Sequence, residues 1–377
     1  MNLLVLKEID FLDYRVAVTP EIGKRFTELG HLVLIETEAG IRSGFSNHDY
    51  VSAGCEIMFN RCFTDIDIVF SVNPLPADCI RSLAPSTVVI SPQDLFSRVE
   101  NLTLLTEMRV TSYALDLIPR TTRAQYMDIL SSQANLAGYK AVIEAAHLLN
   151  RALPLMMTTA GTIPAAKVLV IGAGVAGLQA IATAKRLGAI VSAFDVRAAA
   201  KEQVESLGAK FIDIENAERT DGVYAKRMTS YYKKMQEKKL LSVLSHQDII
   251  ITTAQIPGKK APVILEAEMI KVMKTDSIII DLASKSGGNC AFTKHGKTVE
   301  MDGVTIVSFD NILNLIPHDA SRLFAKNIFA FFEFLTQKME ENPDISTIED
   351  EIIKATLLTY NGRLMNAQMG RLQRNQC

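Results

Sequence analysis

A short run suited to a strand, KVLVI from Lys167 to Ile171, leads into Gly172-Ala-Gly174-Val-Ala-Gly177 and on into the helical pattern LQAIATAKRLG. A strand that turns into a helix on three such glycines is suited to hold a pyrophosphate. Gly172 permits the tight turn, Gly174 lets the backbone approach the phosphates, and Gly177 lets helix and strand pack closely. The helix start adds unpaired N–H groups and the positive end of its dipole. The next acid makes the pattern more specific: a second strand ends at Phe194, and Asp195 follows it, eighteen residues beyond Gly177. An acid at that place accepts hydrogen bonds from the adenosine ribose, although a helix cap at a strand end also fits its type. A 2′-phosphate about 4 Å from the carboxylate, at an effective dielectric near 20, meets about 4 kcal/mol of repulsion, roughly a thousandfold preference for NAD(H) over NADP(H). Arg197, two residues on, opposes this preference, because a guanidinium attracts the extra phosphate.

A second polar concentration lies in PRTTRAQYMDILSSQ, from Pro119 to Gln133. In helical conformation Gln125, Asp128 and Ser132 fall on one face, with Ser131 beside them. Gln and Ser both donate and accept, Asp accepts, and Arg120 can pair with an acid or a phosphate, a set suited to a carboxamide and a ribose. The same residues also suit a solvated helix start, with Asp and Ser as caps. The six histidines fall in separate segments, and neither a Ser-His-Asp arrangement nor a metal-ligand spacing is evident.

These residues need a frame, and the pattern around them alternates strand with helix. In the first part Leu3 to Leu6, Leu32 to Glu36, Ile68 to Val72, Thr87 to Ile90 and Val110 to Leu117 read as strands, and Glu21 to Leu29 reads as a helix. Asn73-Pro-Leu-Pro76 lies beyond a strand end, where such sheets gather ligand-facing loops. A long helical stretch covers Ala124 to Arg151. Six further strands follow, KVLVIGAG, AIVSAFD, KFIDI, DIIITTA, DSIIIDLA and VTIVSF, with helices at Val175 to Leu187, Ala199 to Leu207, Arg227 to Leu244 and Ala261 to Met273. Glu215 to Tyr224 is polar and aperiodic and reads as a mobile loop. Asp319 to Lys338 reads as a helix, and Ile352 to Tyr360 as a strand running into a turn at Asn361-Gly362. The expected fold is α/β: two Rossmann-like doubly wound parallel-sheet domains joined by long helices, the first discontinuous. It comprises residues 1–125 with 311–377, and the NAD(H)-binding domain comprises 126–310.

Composition agrees with a folded chain of this size. Hydrophobic residues make up 48% of 377 and charged residues 22%, and the net charge of -2 provides no positive field for nucleic acid. The five cysteines are scattered with no C-x-x-C pair, and the start MNLLVLKEIDF lacks the basic opening and long apolar run of a signal peptide, so a reducing cytoplasm is expected. Val168 to Ala184 carries no charge over seventeen residues, but its glycines mark a strand-to-helix turn rather than a membrane span.

The stretches YRVAVTPE, PRTTRAQYMDILSSQANLAGYKAV, IPAAKVLVIGAGVAGLQAIATAKRLGA, FDVRAAAKEQVESLGAKF, GVYAKRM, IPGKKAP, IIDLASKSGGNC and LFAKN resemble the NAD(H)-binding component, domain I, of the proton-translocating NAD(P) transhydrogenases. The resemblance covers nearly the whole chain. It implies a homodimer of two-lobed subunits with NAD(H) in the interlobe cleft, attached peripherally to the inner membrane. It further implies docking on an NADP(H)-binding subunit, direct hydride transfer between the nicotinamides, and proton translocation by membrane-spanning subunits. By the same resemblance Arg120, Gln125, Asp128 and Ser131 orient the nicotinamide end, and Val175, Asp195, Val196 and Arg197 hold the adenosine and pyrophosphate end. Gln236 and Gln255 lie near the nucleotide, and Tyr224 rides on a loop that closes over it. Gln255, Val223 and Lys285 depart from the family's pattern, which bears on loop mobility and partner docking. Transfer from ring to ring releases no proton, so alignment of two carbons at roughly 3 to 3.5 Å is the main demand on the site.

Two other readings compete. Alanine dehydrogenase is similar in fold and in its early R-V-A-x-x-P-E motif, but its reaction needs a lysine and a histidine in the first lobe. Here Asn73 follows the relevant strand, and TVVISPQDL, Thr87 to Leu95, contains no histidine. A non-catalytic NAD-sensing module would keep the affinity without needing Arg120, Gln125 and Asp128.

Overall fold

The computed structural model describes residues 1–8, 13–95, 98, 100–213, 230–256 and 258–366. The chain divides into two compact units, 1–133 with 313–377, and 134–312. Each is built on a sheet of mostly parallel strands.

In the first unit β1 (Asn2–Val5), β2 (Leu32–Glu36), β3 (Glu56–Met58), β4 (Ile68–Phe70), β5 (Val88–Ser91) and β6 (Thr111–Ala114) stand in the order β3-β2-β1-β4-β5-β6. These six are parallel, as strands joined through helices must be. The helices between them are α1 (Pro20–Glu28), α2 (Asn47–Ser52), α3 (Ala77–Ser82) and α4 (Glu100–Glu107). Proline at the start of α1 and the Ser46–Asp49 capping box of α2 mark where those helices begin.

The 20-residue α5 (Ile129–Leu148) carries the chain onward to a hairpin, β7 (Met156–Thr158) with β8 (Gly161–Ile163). The second sheet contains β9 (Lys167–Ile171), β10 (Ile190–Phe194), β11 (Lys210–Phe211), β12 (Ile249–Thr252), β13 (Ile278–Asp281), β14 (Thr298–Met301) and β15 (Val304–Val307). Their order is β11-β10-β9-β12-β13-β15-β14, parallel except for β14 at the edge. Strands β12 and β13 read IIIT and IIID and are buried at every residue, as central strands covered on both faces require. Helices α6 (Val175–Arg186), α7 (Ala200–Ser206), α8 (Ser230–Leu244) and α9 (Ala267–Ile270) belong to this unit.

Helix α10 (Pro317–Glu341) returns the chain to the first unit. There Phe329 and Phe332 lie 5.0 and 4.9 Å from the ring of Phe26. Helix α11 (Glu351–Thr356), β16 (Leu357–Tyr360) and β17 (Arg363–Leu364) finish the first sheet, β16 running antiparallel to β6. In both units the strand order reverses beside the first strand, so the carboxyl ends of β1 and β4, and of β9 and β12, form the switch points where such sheets take ligands.

Three expectations about elements change. The helix read from Ala124 begins at Ile129 instead, because Asp128 takes a non-helical ψ of 92°, and Thr122–Met127 forms a 3-10 turn before it. Gln125, Asp128 and Ser132 therefore do not share one helical face. The helix read over Ala261 to Met273 shrinks to α9: the N–H groups of Ile264 and Leu265 are drawn out to the Asn289 carbonyl at 2.8 and 2.9 Å, which keeps that stretch extended. The strand read from Ile352 starts at Leu357, because Asp350 accepts the Ile352 N–H at 2.8 Å and caps α11. Strand β3 has no counterpart among the expected elements. Glu215 to Tyr224 lies outside the described residues, as do Arg227 and Val223.

Candidate functional site

The glycine turn joins β9 to α6 at the switch point. Gly172 has φ +95°, which L side chains rarely adopt, and a Cβ there would lie 2.6 Å from Thr253 Oγ1. A Cβ on Gly177 would lie 1.8 Å from the Gly172 carbonyl oxygen, so helix and turn are in backbone contact. Gly174 differs from both. It is exposed, and a Cβ on it would meet no described protein atom within 4 Å. The described protein makes no use of a bare Cα there, whereas a ligand approaching the backbone would. Gly174 is also the N-cap of α6, with no side-chain cap and no acid in the first turn, so the helix's own first turn supplies no anion to its amides or to the dipole. Val175, the first residue of α6, is exposed.

Asp195 follows β10, and its carboxylate is nearly buried. Oδ2 accepts the Ala173 N–H of the glycine turn at 2.7 Å and Arg197 Nη2 at 3.0 Å. Oδ1 accepts Arg197 N and Nε at 2.8 and 3.0 Å. Four donors occupy about all the acceptor positions of a carboxylate. Hydrogen bonds to Asp195, set against partial burial, raise the Arg197 guanidinium above its ordinary range. Val196 packs against the core of the unit.

Gln255 is exposed just beyond β12 and donates to the Leu282 carbonyl at 3.0 Å. Gln236, on α8, is buried, and its Oε1 has no hydrogen-bond partner among the described residues. A buried carbonyl oxygen left without a donor is costly, and it fits a position that a ligand donor completes. Tyr224 lies outside the described residues.

The polar run in the first unit is only partly gathered. Asp128 stands at the N-cap of α5, accepting the Ser131 N–H at 2.9 Å and the Ser131 hydroxyl at 2.6 Å, so these two residues do form a helix cap. Ser132 turns to Asn327 Oδ1 at 2.7 Å. Arg120 and Gln125 are exposed, outside that cap. Among the described residues it is Arg123, not Arg120, that pairs with an acid, gripping Asp350 at 2.8 and 3.0 Å.

Beyond the carboxyl ends of β1 and β2 a cavity of about 250 Å³ is lined by Lys7, Glu8, Asp13, Arg15, Glu38 and Arg61 among others. Its charges are satisfied from within. Arg15 is bound to Asp13 at 2.6 Å and to Gln133 Oε1 at 2.9 Å, and Arg61 to Glu36 at 2.6 Å. Asn73 Nδ2 bridges Glu8 and Asp13 at 2.9 and 3.1 Å. Burial pushes Glu8 up to about 7. At Asp13 burial acts in the same sense, but the Arg15 charge and the hydrogen bonds outweigh it and hold the carboxyl below its ordinary range.

Several residues that shape the glycine turn and its surroundings carry no signal in the sequence. Thr253 touches the turn, Asn289 clamps the chain after β12, and Asp281 holds Asn289. Gly138 on α5 is another: a Cβ there would lie 2.0 Å from the Ala176 carbonyl oxygen, so α5 crosses the first turn of α6 in backbone contact. Each is a lone Thr, Asn, Asp or Gly at no recognisable spacing from the fingerprint.

Family models described as "Alanine dehydrogenase/PNT, N-terminal domain" and "Alanine dehydrogenase/PNT, C-terminal domain" match residues 4–137 and 141–367. An NAD(P) transhydrogenase subunit alpha polypeptide of Rhodospirillum rubrum is 43% identical over 97% of this chain and 98% of its own length. The chain belongs to the alanine dehydrogenase/PNT family, on its NAD(P) transhydrogenase branch. A solved structure of transhydrogenase from Sinorhizobium meliloti superposes with a TM-score of 0.85 at 41% identity, covering 98% of this chain and all of that one. Alanine dehydrogenase 1 of Staphylococcus aureus stands further off, at 26% identity over 97% of this chain and 95% of its own. The recognition made from the motifs, the α/β class and the transhydrogenase assignment all agree with these findings, and nicotinamide nucleotide binding comes with the family. Among the described residues no helix is long and apolar enough to cross a membrane.

Proposed function

We propose that this chain binds NAD(H) in its second unit and acts as the NAD(H) component of a proton-translocating NAD(P) transhydrogenase, with NADP(H) held on a partner subunit. The observation that carries the reading is the open space at Gly174: the fingerprint keeps a bare backbone where no described protein atom needs one, beside an uncapped helix start. In this reading Gly172, Gly174, Val175 and Gly177 receive the pyrophosphate, and Asp195, Val196 and Arg197 the adenosine ribose. Gln236 and Gln255 complete the nucleotide end, with Tyr224 on its loop. Arg120, Gln125, Asp128 and Ser131 orient the nicotinamide, for which the exposed side chains of Arg120 and Gln125 are available donors. Bound NAD(H) supplies the hydride chemistry. The side chains bind and align, and no acid or base is required of them.

Membrane-spanning partner subunits would carry the proton, with this chain held peripherally at the inner membrane on the cytoplasmic side. The homodimer is proposed as well. Hairpin β7–β8 supports it, since Leu155, Met156, Ile163 and the 77% exposed Met157 lie in the open there. No observation favours alanine oxidation: a carboxylate substrate at Arg15 would have to displace Asp13 and Gln133, and Asn73 already donates to two acids.

The test mixes the purified chain with membranes that hold the NADP-binding partner and lack this subunit, then follows reduction of an NAD analogue by NADPH. Activity that arises only on mixing, and is lost in Gln125→Asn, is expected. No activity on mixing, with NADH still bound tightly, would refute the transhydrogenase role and leave a sensor.

A further inference from the structure

The exit of β12 is tied into the glycine turn by contacts that the glycine spacing does not announce. Thr253 donates its N–H to the Ile171 carbonyl at 2.8 Å and its hydroxyl to the Gly172 carbonyl at 2.9 Å. That carbonyl fills the place of any side chain at position 177, and the hydroxyl fills the place of any side chain at position 172. The Thr253 hydroxyl, the Gly172 carbonyl and the bare Cα of Gly177 therefore form one packed column, in which the position of each sets the next. From the other side, the Ala173 N–H is held by Asp195 at 2.7 Å.

Behind Thr253 the backbone is fixed in turn. The fully buried Asn289 carboxamide accepts the Ala254 N–H at 2.9 Å and donates to the carbonyls of Ala254 and Pro262, each at 2.8 Å. The Asn289 N–H donates to Asp281 Oδ2 at 2.7 Å. Asp281, also buried, takes further donors from Ala283 N, Cys290 N and Thr293 Oγ1 at 2.9, 3.2 and 2.6 Å. A buried carboxylate with four donors anchors its loop, and a carboxamide using both its oxygen and its amide on neighbouring backbone transmits that anchorage.

We propose that Thr253 is a positioning residue for nucleotide binding: its hydroxyl sets the Gly172 carbonyl and so the phosphate-facing start of α6, and Asn289 keeps Thr253 in place. The proposal rests on the reading of the second unit as the NAD(H) site. It adds a support that touches the turn without touching the phosphates, the kind of backing that a preorganised site needs.

Fluorescence titration of the full chain with NADH, beside thermal melts without ligand, tests it. Wild type must first bind NADH; if it does not, the underlying reading falls before any variant is made. Thr253→Val keeps the shape and removes the hydroxyl. It is expected to weaken NADH about tenfold, the size of one good hydrogen bond, while the ligand-free melting point stays within about 3 °C. Thr253→Ser restores the hydroxyl and should return affinity to within about twofold. In the reconstituted reaction Thr253→Val should raise KM for the NAD substrate and leave kcat unchanged, the signature of lost uniform binding. Wild-type affinity in Thr253→Val overturns the proposal, and so does Thr253→Ser as weak as Thr253→Val, since shape rather than the hydroxyl would then be the operative feature. If Thr253→Val does not fold, Asn289→Ala decides: a raised KM with kcat retained supports the relay, and an unaltered KM overturns it.

Discussion

Removing the charge of Asp195 tests how the proposed NAD(H) site would tell NADH from NADPH. Taken alone, the carboxylate repels a 2′-phosphate about 4 Å away by about 4 kcal/mol at an effective dielectric near 20. The structure adds the guanidinium of Arg197, locked to the same carboxylate by Nε and Nη2, each at 3.0 Å. With that cation at about 6 Å from the phosphate, the same dielectric gives about 3 kcal/mol of attraction. The difference, a little over about 1 kcal/mol, is roughly a tenfold preference for NADH rather than a thousandfold one. The two variants then move in opposite directions. Arg197→Ala widens the preference toward roughly a thousandfold, because the carboxylate acts unopposed. Asp195→Asn releases Arg197 and reverses the preference, to roughly a hundredfold in favour of NADPH. Titrating each variant with NADH and NADPH at low ionic strength, where screening is weak, measures the ratio directly. A ratio unchanged in Arg197→Ala, or Asp195→Asn that still prefers NADH, would contradict the argument that the pair acts as one electrostatic unit.

Gly138→Ala should cost about 1–3 kcal/mol of stability by overpacking and weaken NADH, because a Cβ set 2.0 Å from the Ala176 carbonyl must push α5 off the first turn of α6, where the pyrophosphate is proposed to sit; a denaturant series with an NADH titration checks both. Glu8 carries a folded-state value of about 7 against an ordinary 4.5. The folded state thus holds a proton that the unfolded chain has released, stability is full below about 4.5, and it falls as pH rises to about 7, by up to about 3 kcal/mol. Glu8→Gln should flatten that part of the melting-temperature profile; a profile as steep as that of wild type would show that another group is responsible.

The fold is largely legible because its signals are local. Runs such as KVLVI and IIIT are long enough in apolar residues to declare central strands, and the glycine turn declares the crossover between two of them. Where sequence and structure part, a polar side chain or a distant segment decides the backbone. Ile264 and Leu265 lie in a stretch that reads as helix by residue type, yet their N–H groups go to Asn289, some two dozen residues later in the chain. Asp128 ends one turn and starts a helix because its carboxylate finds the Ser131 N–H, a capping choice that its helical surroundings obscure. At 351–356 the conflict runs the other way, since Ile352 and Ile353 favour a strand by type and Asp350 caps them into a helix.

In the candidate site, too, it is the local signals that are legible. Gly172 and Gly177 announce a turn because no side chain fits there, and Asp195 stands out by its distance from them. Thr253 and Asn289 announce nothing, since a buried threonine or asparagine has many structural uses and their partners are backbone atoms of Gly172, Ala254 and Pro262, which any residue type could supply. Asp195 shows how far a residue type alone can mislead on magnitude. A thousandfold preference assumes an isolated charge, and a charge bonded to Arg197 and to the Ala173 N–H is not isolated. In the proposed NAD(H) site, specificity would therefore be a property of the pair: the acid would set the sign of the field at the ribose, and the arginine its size.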